Sequence, residues 1–387
     1  RLVSDWSSDV CSSDLAIRIA PAAAVKVLEE AAARPDADGS FLLFVAESLS
    51  VVGQRKESGV GDLGPRVVGL LNRVEAMKPE RAPELMRLAD LYQAQGDSEK
   101  ALGIYQGLLE RDPDLPGLRE RLTGIYLRSD QREKAAEQLR AMALSRPTNW
   151  VPHYLLGGLA LAERRYDDAV EAFSKVLILR PDDVGAYLDL AAAHLSRDKP
   201  AEALEVLRRA RANVRPARFD VEYFSAVALT EMERYDEAAR FFTTAEVIGG
   251  ASEPGKLTAV FYFQAGVANE RAKRFDDAAL LFEKAIQLQP EFPEALNYLG
   301  YMWAEQGRNL ERARELILKA LELEPDSPAY LDSLAWVLHR LGRSAEALPV
   351  QQRAVSLSKE PDATLYDHLG DILEALGRRE EARAAWQ

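Results

Sequence analysis

A period of about 34 residues, running from residue 82 to the end of the chain, constrains the fold more than any other feature. Each period carries an alanine preceded by polar residues, and most periods place an aromatic residue or a leucine four residues later. These alanines are Ala101, Ala135, Ala169, Ala203, Ala238, Ala278, Ala313, Ala347 and Ala382. Five periods then close with a proline, at Pro113, Pro147, Pro181, Pro290 and Pro325. Because proline stops a helix, and because one hairpin cannot bury its apolar faces alone, the pattern predicts stacked helical hairpins.

The first half of each period carries a second pattern, in which a leucine is followed by a small residue between two large ones. Its clearest examples are Leu156-Gly157, Leu190-Ala191, Leu299-Gly300, Leu334-Ala335 and Leu369-Gly370. The small residue lets the two helices of a hairpin approach closely. Together the two patterns resemble the tetratricopeptide-repeat family. The resemblance implies an all-α fold, an α-solenoid in which helix-turn-helix hairpins stack into a right-handed superhelix.

Nine such units can be placed on the chain. Their approximate bounds are 82–115, 116–149, 150–183, 184–217, 219–252, 259–292, 293–326, 328–361 and 363–387. The fifth unit lacks a closing proline and runs into the stretch 249–255, which is rich in glycine. We therefore divide the repeats into 82–252 and 259–387, with residues 253–258 as a loop and a candidate hinge. The alternative, a tolerated surface insertion, stays open.

The ends of the chain depart from the period. Residues 1–15 have no helical period and are interpreted as a non-native read-through, with a disordered Ser/Asp tail as the alternative. Residues 16–81 are predicted to form divergent helical hairpins. The last unit ends soon after Trp386, in mid-helix, so both ends are expected to be incomplete.

Composition narrows the possible functions. The chain has 49 basic and 62 acidic residues, a net charge of −13, which argues against a nucleic-acid partner. No apolar run is long enough to span a membrane. The four histidines and the single cysteine, Cys11, have no metal-site spacing. The string Gly59 to Gly64 matches G-x-G-x-x-G, but a polar loop precedes it and no strand does. We therefore predict no enzyme activity, no metal and no cofactor over these residues.

In the tetratricopeptide-repeat family the first helices line a concave groove, and the fifth and ninth positions of each unit point into it. On this chain those positions give the groove residues Tyr154, Leu188, Tyr223, Phe263, Tyr301, Trp336, Asp332, Asp367 and Asp371. No unit has the lysine and asparagine of the family's chaperone-tail clamp. Aromatic anchors followed by acidic residues favour other proteins as partners, bound as peptide or helical segments of somewhat basic character. The alternative is that each ring packs against its own neighbours.

Three segments, 297–301, 330–336 and 367–371, resemble a bacterial group of tetratricopeptide proteins that includes outer-membrane lipoproteins. That resemblance implies an envelope adaptor for a protease or for cell-wall enzymes, in the periplasm, while a cytoplasmic location stays open. Two other functions are retained as alternatives. One is the substrate-binding or regulatory arm of a larger enzyme, and the other is an assembly factor for envelope complexes.

Overall fold

The computed structural model describes residues 21–54, 60–360 and 362–387, and the expectation for residues 1–15 lies outside them. Over these ranges the chain forms 21 α-helices and one 3₁₀ turn, with no strand. Within each of the two compact units, consecutive helices such as α4 with α5 and α14 with α15 pack against each other. The predicted all-α solenoid class is confirmed. None of the described helices has both the length and the apolar character needed to cross a membrane.

The chain divides into two compact units, residues 1–159 and 160–387. The described helices of the N-terminal unit are α1 (Pro21–Ala32), α2 (Gly39–Gly53), α3 (Gly64–Ala76), α4 (Ala82–Ala94), α5 (Ser98–Arg111), α6 (Leu118–Arg128) and α7 (Arg132–Ser145). Helix α8 (Trp150–Ala162) begins in this unit and ends in the next. In α2, the side chain of Asp38 accepts a hydrogen bond from the Phe41 N–H, which caps the first turn.

The C-terminal unit contains the remaining helices. They are α9 (Tyr166–Leu179), α10 (Val184–Leu195), α11 (Pro200–Asn213), α12 (Phe219–Glu231), α13 (Tyr235–Ser252), α14 (Ala259–Arg271), α15 (Phe275–Leu288), α16 (Pro293–Glu305), α17 (Leu310–Leu323), α18 (Pro328–Arg340), α19 (Ser344–Leu357), α20 (Ala363–Ala375) and α21 (Arg379–Ala385). Pairs such as α16 with α17 form hairpins, and the hairpins follow one another in chain order.

The residues that define the sequence period form the core of each unit. All nine period alanines are fully buried, and so are large residues that follow them, among them Tyr105, Phe173 and Phe282. The small residue of the first helix has an equally direct role. A Cβ atom added at Gly300 would lie 2.9 Å from the carbonyl oxygen of Ala313 and 2.7 Å from Cγ1 of Ile317. Helices α16 and α17 therefore touch with no room for a larger residue.

The inner turn of each hairpin contains a residue in the left-handed region of φ. In three hairpins it is a lone glycine, but in five it is Asp130, Arg164, Asp198, Glu233 or Lys273. The residue after it closes the first helix by a backbone hydrogen bond that reaches back five residues. One example is Arg274 N to Asn269 O at 2.9 Å. Because this conformation is unfavourable for residues other than glycine, the fold of the hairpin holds those five turns in place.

The glycine-rich stretch 249–255 begins inside a helix. Helix α13 continues through Ser252, and residues 254–256 form the 3₁₀ turn. A Cβ atom on Gly249 would lie 2.8 Å from Cδ2 of Leu257, so this glycine serves close packing rather than a turn. Lys256 Nζ lies 2.6 Å from a carboxylate oxygen of Asp220, which fixes the connection to α12. The hinge at 253–258 stays a prediction.

Candidate functional site

A groove with a volume of about 970 Å³ opens in the C-terminal unit between the first helices of successive hairpins. We call it the C-terminal groove. Its walls come from the end of α14, one face of α16, the start of α18 and the start of α20, with part of the preceding linkers. The main lining residues are Glu270, Arg271, Phe275, Asn297, Tyr298, Tyr301, Met302, Glu305, Gln306, Ser327, Pro328, Ala329, Asp332, Ser333, Ser358, Asp362, Thr364 and Leu365.

Helix periodicity decides which residues of α16 reach the groove. Asn297, Tyr301 and Glu305 are spaced four apart, so they form one stripe along the helix. Leu299 and Gly300 lie on another face and pack into the hairpin core. The same amphipathic pattern that buries the repeat residues therefore presents an aromatic, an amide and a carboxylate to the groove.

The groove is acidic. Glu270, Glu305, Asp332 and Asp362 line it, against a single basic residue, Arg271, so the formal charge of the lining is −3. A hydrogen bond to a tyrosine hydroxyl raises the pKa of Arg271, and the adjacent carboxylate of Glu270 raises it further. The only cation of the lining is thus already engaged by its own chain. The remaining field favours a ligand with positive charge.

The hydroxyl of Tyr301 is affected both by burial and by the negative charge of the groove. Burial raises the pKa of its hydroxyl, and the carboxylates of Glu305 and Asp332 raise it further. Its ring is half-buried and lies 6.3 Å, centroid to centroid, from the His368 ring. The adjacent Tyr298 meets the Phe263 ring edge-on at 5.3 Å. Tyr301 therefore stands beside carboxylates in the groove, an arrangement that suits a cation with an apolar stem.

Two buried amide atoms at the groove, besides a carboxylate oxygen of Glu270, have no hydrogen-bond partner among the described residues. They are Oδ1 of Asn297, an acceptor, and Nε2 of Gln306, a donor. Leaving such atoms unpaired costs about 1–3 kcal/mol each, so a ligand that pairs with them recovers part of that cost. A polypeptide backbone carries both an N–H and a C=O group and can serve both side chains after small rotamer changes.

Only two of the nine residues predicted for the groove line it, Tyr301 and Asp332. Asp332 needs correction as an accessible acid, because it is only 6% exposed. Its Oδ1 accepts hydrogen bonds from Gln351 Nε2 at 2.6 Å and lies 2.9 Å from His368 Nδ1. Asp332 is therefore chiefly a buried acceptor that ties α18 to α19 and α20. Asp367 and Asp371 are exposed and lie outside the groove lining.

The other predicted aromatic residues are half-buried and contact neighbouring side chains. The hydroxyl of Tyr223 donates to Gln264 Oε1 at 2.6 Å, and its ring stacks on Phe219 at 5.8 Å. Phe263 contacts the rings of Phe282, Phe292 and Tyr298 at 5.2–5.8 Å.

Trp336 stacks on the His368 ring at 4.2 Å. In the N-terminal unit, Tyr154 meets Trp150 edge-on at 6.0 Å, and in the C-terminal unit Leu188 is half-buried. A role for any of these residues in binding stays a prediction.

Sequence reasoning missed Tyr298, Glu305, Glu270 and Asp362, which the structure places in the groove. Glu305 could have been found, because it continues the four-residue spacing of Asn297 and Tyr301 by one helical turn. Glu270 and Asp362 carry no comparable signal, since they belong to the end of one hairpin and the linker before another. Their presence in one groove depends on how the hairpins stack.

Comparisons with known proteins show several likenesses. The chain is 25% identical over 195 residues to Protein O-mannosyl-transferase TMTC3 of Homo sapiens, a match that spans 49% of this chain and only 20% of that protein. It is similar to the solved structure of YrrB, described as a TPR protein with an unusual peptide-binding site. That match has 20% identity, covers 55% of this chain and 100% of that chain, and has a TM-score of 0.44.

The chain is also similar to the solved structure of the C-terminal part of a TPR repeat-containing protein from Cytophaga hutchinsonii. That match has 18% identity, covers 60% of this chain and 92% of that chain, and has a TM-score of 0.48. Family models described as tetratricopeptide repeat match residues 85–114, 125–184, 160–220, 263–328 and 307–363. These matches cover more than half of the chain and include most of the helices that form the C-terminal groove. The chain therefore belongs to the tetratricopeptide-repeat family.

Proposed function

We propose that this chain is a scaffold for protein interactions whose C-terminal groove binds an extended segment of another polypeptide through a basic side chain. Membership of a repeat family supports the coarser part, a protein-interaction scaffold. The observation that carries the finer part is the groove itself, with its volume of about 970 Å³ and four carboxylates against one guanidinium.

The groove fits a chain segment better than a small compact ligand. Its volume lies at the upper end of the roughly 300–1,000 Å³ found for small-molecule pockets, and its residues come from four successive hairpins. The unpaired acceptor of Asn297 and the unpaired donor of Gln306 lie nine residues apart along α16 and its C-cap, about 13 Å, so an N–H and a C=O from different peptide units of one extended segment can pair with them. Repeat proteins commonly bind partners along such surfaces.

The basic side chain of the ligand would lie beside Glu305 and Tyr301. Glu305 is exposed and makes no ion pair with any described residue through its carboxylate. A lysine or arginine stem can lie along the ring of Tyr301 while its charged group meets the carboxylate. Charge pairs of this kind contribute to specificity and to the association rate, and they weaken as salt rises.

The proposal is tested by fluorescence anisotropy with labelled peptides that differ only in one central residue, lysine, glutamine or glutamate. We expect the lysine peptide to bind most tightly, and the difference to shrink with added salt. Tyr301→Ala should weaken binding about tenfold, and Glu305→Gln should remove most of the preference for lysine. Tyr366→Ala and Glu322→Gln, exposed positions outside the groove lining, serve as matched controls.

Two outcomes would contradict this assignment of the groove. One is that the glutamate peptide binds as tightly as the lysine peptide at low salt. The other is that the control variants lose as much affinity as Tyr301→Ala. Circular dichroism of every variant checks that the helices are intact, and Tyr301→Phe provides a variant that keeps the ring if the alanine variant unfolds.

The finer envelope role rests on the resemblance of residues 297–301, 330–336 and 367–371 to periplasmic adaptors. We include it in the proposal as the bridging of a protease to its substrates or to cell-wall enzymes, with assembly of envelope complexes as the alternative. Cell fractionation with the full reading frame tests the location. Recovery of the protein only from the cytoplasmic fraction would exclude both roles.

A second candidate function is the substrate-binding or regulatory arm of a larger enzyme. The observation that favours it is the likeness to a protein named as a transferase, of which the chain matches 20%. The full reading frame around these residues decides between the two. An adjoining catalytic domain, with activity that falls when the Tyr301→Ala change is made, would support the enzyme arm, and a frame that encodes only repeats would exclude it.

A further inference from the structure

A second cavity, of about 170 Å³, lies where α11 ends and α12 begins, around the linker of residues 214–218. Arg211, Arg215 and Arg218 line it together with the buried Glu222, so the formal charge of the lining is +2. The segment 208–218 contains five arginines and no acidic residue, in a chain whose net charge is −13. We call this place the arginine cavity. It is the opposite of the C-terminal groove in charge.

Much of the donor capacity of these arginines is unused. Arg211 is committed to its own chain, with Nε 2.9 Å from Glu222 Oε1 and the guanidinium over the Phe241 ring at 4.9 Å. Arg215 uses only Nη1, which donates to two main-chain carbonyls at the end of α11, at 2.5 and 2.8 Å. The side chain of Arg218 makes no hydrogen bond or ion pair within the described part of the chain, and its Nε is buried.

The start of α12 adds to the positive electrostatic potential of the arginine cavity. Arg218 is the residue that precedes the helix, and it provides no side-chain cap to the first turn. The first backbone N–H groups of a helix have no partner within it and carry partial positive charge. Val221, in this first turn, lines the cavity. Unused guanidinium groups and the positive end of a helix therefore face the same small space.

The negative charge of the Glu222 carboxylate disfavours an anion in the cavity, but only in part. Burial raises the pKa of its carboxyl, and the nearby Arg211 guanidinium lowers it again to a lesser extent. The pair of Glu222 and Arg211 is close to neutral as a unit. Arg215 and Arg218 then have no carboxylate partner among the lining residues. Outside the lining, a hydrogen bond from a lysine lowers the pKa of Glu253, and the charge of Arg218 lowers it further.

We propose that the arginine cavity binds a phosphate group, either free in solution or on a phosphorylated side chain of a partner protein. A volume of about 170 Å³ is smaller than the roughly 300–1,000 Å³ of pockets for organic ligands, so the ligand is a single functional group. A phosphate group carries about −1.5 to −2 charges at neutral pH and three acceptor oxygens. Two guanidinium groups match it in charge, and arginine binds such oxygens in bidentate geometry.

Calorimetric titration of the intact chain, at near-physiological ionic strength, tests the proposal with three probes. They are inorganic phosphate, a phosphoserine peptide and the same peptide without phosphate. We expect saturable binding with one site per chain. Binding of the phosphopeptide alone assigns the site to modified proteins, binding of inorganic phosphate alone assigns it to the free ion, and both outcomes support the cavity as a phosphate site.

Variants locate the site. Arg218→Gln should weaken phosphate binding by about tenfold or more, because a hydrogen bond to a charged group is lost, and Arg218→Lys should weaken it less. Arg208→Gln is the matched control, since Arg208 lies on α11 outside the cavity and pairs with Glu205. The proposal would be overturned if neither inorganic phosphate nor the phosphoserine peptide showed saturable binding. So would an equal loss of affinity in Arg208→Gln, which would indicate non-specific attraction to the arginine-rich segment.

Discussion

Replacing Gly300 by alanine tests the close contact between α16 and α17. In an open helical position, glycine to alanine stabilises a helix by about 0.5–1 kcal/mol. At Gly300 the added Cβ would lie 2.9 Å from the Ala313 carbonyl oxygen and 2.7 Å from Ile317 Cγ1. The side chain of Ile317 can rotate, but the carbonyl belongs to the backbone of α17, so the helices must separate. Overpacking of this kind costs about 1–3 kcal/mol.

The two effects have opposite signs, and the overpacking is the larger. We therefore expect Gly300→Ala to destabilise its hairpin by about 1–2 kcal/mol. The matched control is Gly107→Ala in α5, where a Cβ would meet nothing within 4 Å. That variant should be more stable than the parent by up to about 1 kcal/mol. The sign, and not only the size, distinguishes the two glycines.

Hydrogen exchange followed by mass spectrometry is the suitable assay, because a chain of hairpins opens locally and a single unfolding free energy is poorly defined. A loss of about 1.4 kcal/mol should speed exchange in α16 and α17 about tenfold, with little change in α9 or α10. If Gly300→Ala slowed exchange in α16, as the control should do in α5, the close contact between α16 and α17 would be refuted.

Three further predictions concern stability. Asp332→Ala should lower the local free energy of unfolding of α19 and α20 by about 2–3 kcal/mol, because two buried donors lose their acceptor, whereas Asp367→Ala should leave hydrogen exchange there unchanged. Burial raises the pKa of Glu222, so the folded state holds a proton more tightly than the unfolded state. The free energy of unfolding should therefore fall as pH rises from the usual glutamate range through the raised pKa. Urea titrations at several pH values should show this dependence in the parent protein and a flatter one in Glu222→Gln. Lys273→Gly should stabilise its turn by about 0.5–1 kcal/mol, and Gly342→Lys should destabilise the equivalent turn by a similar amount, as measured by thermal unfolding.

The fold was largely predictable from sequence because the same short-range residue pattern recurs in every repeat. The alanines and the leucine–glycine pairs mark where two helices touch, and the structure buries them as expected. The conformation of the glycine-rich stretch 249–255 could not be predicted from the sequence, for a physical reason. Glycine serves both turns and close packing, and only the position of Leu257 shows which of the two applies.

The groove was harder to predict because it depends on contacts between hairpins. The family resemblance predicts that a fifth-position or ninth-position residue points toward the groove, but its neighbours decide whether it is exposed. Tyr223 is held by Gln264, 41 residues away in sequence, and no local pattern indicates that pairing.

One signal was available for Asp332. The large residue expected four positions after Ala347 is instead Gln351, and this polar substitution in a core position indicates a buried polar partner.

The buried contact among Gln351, Asp332 and His368 has a consequence for the identity of each hairpin. Apolar hairpins of similar sequence can dock on one another in more than one order, which is a known route to misassembly in repeat proteins. His368 finds an acceptor only beside Asp332, and Gln351 bridges Asp332 to the carbonyl of Leu365. These groups therefore form their hydrogen bonds only when the correct hairpins pack side by side. A chimera in which α16 and α17 are copied into the place of α18 and α19 would keep the repeat pattern but place Asn297 where Asp332 stands and Ile317 where Gln351 stands, so the carboxylate and the bridging amide would both be lost.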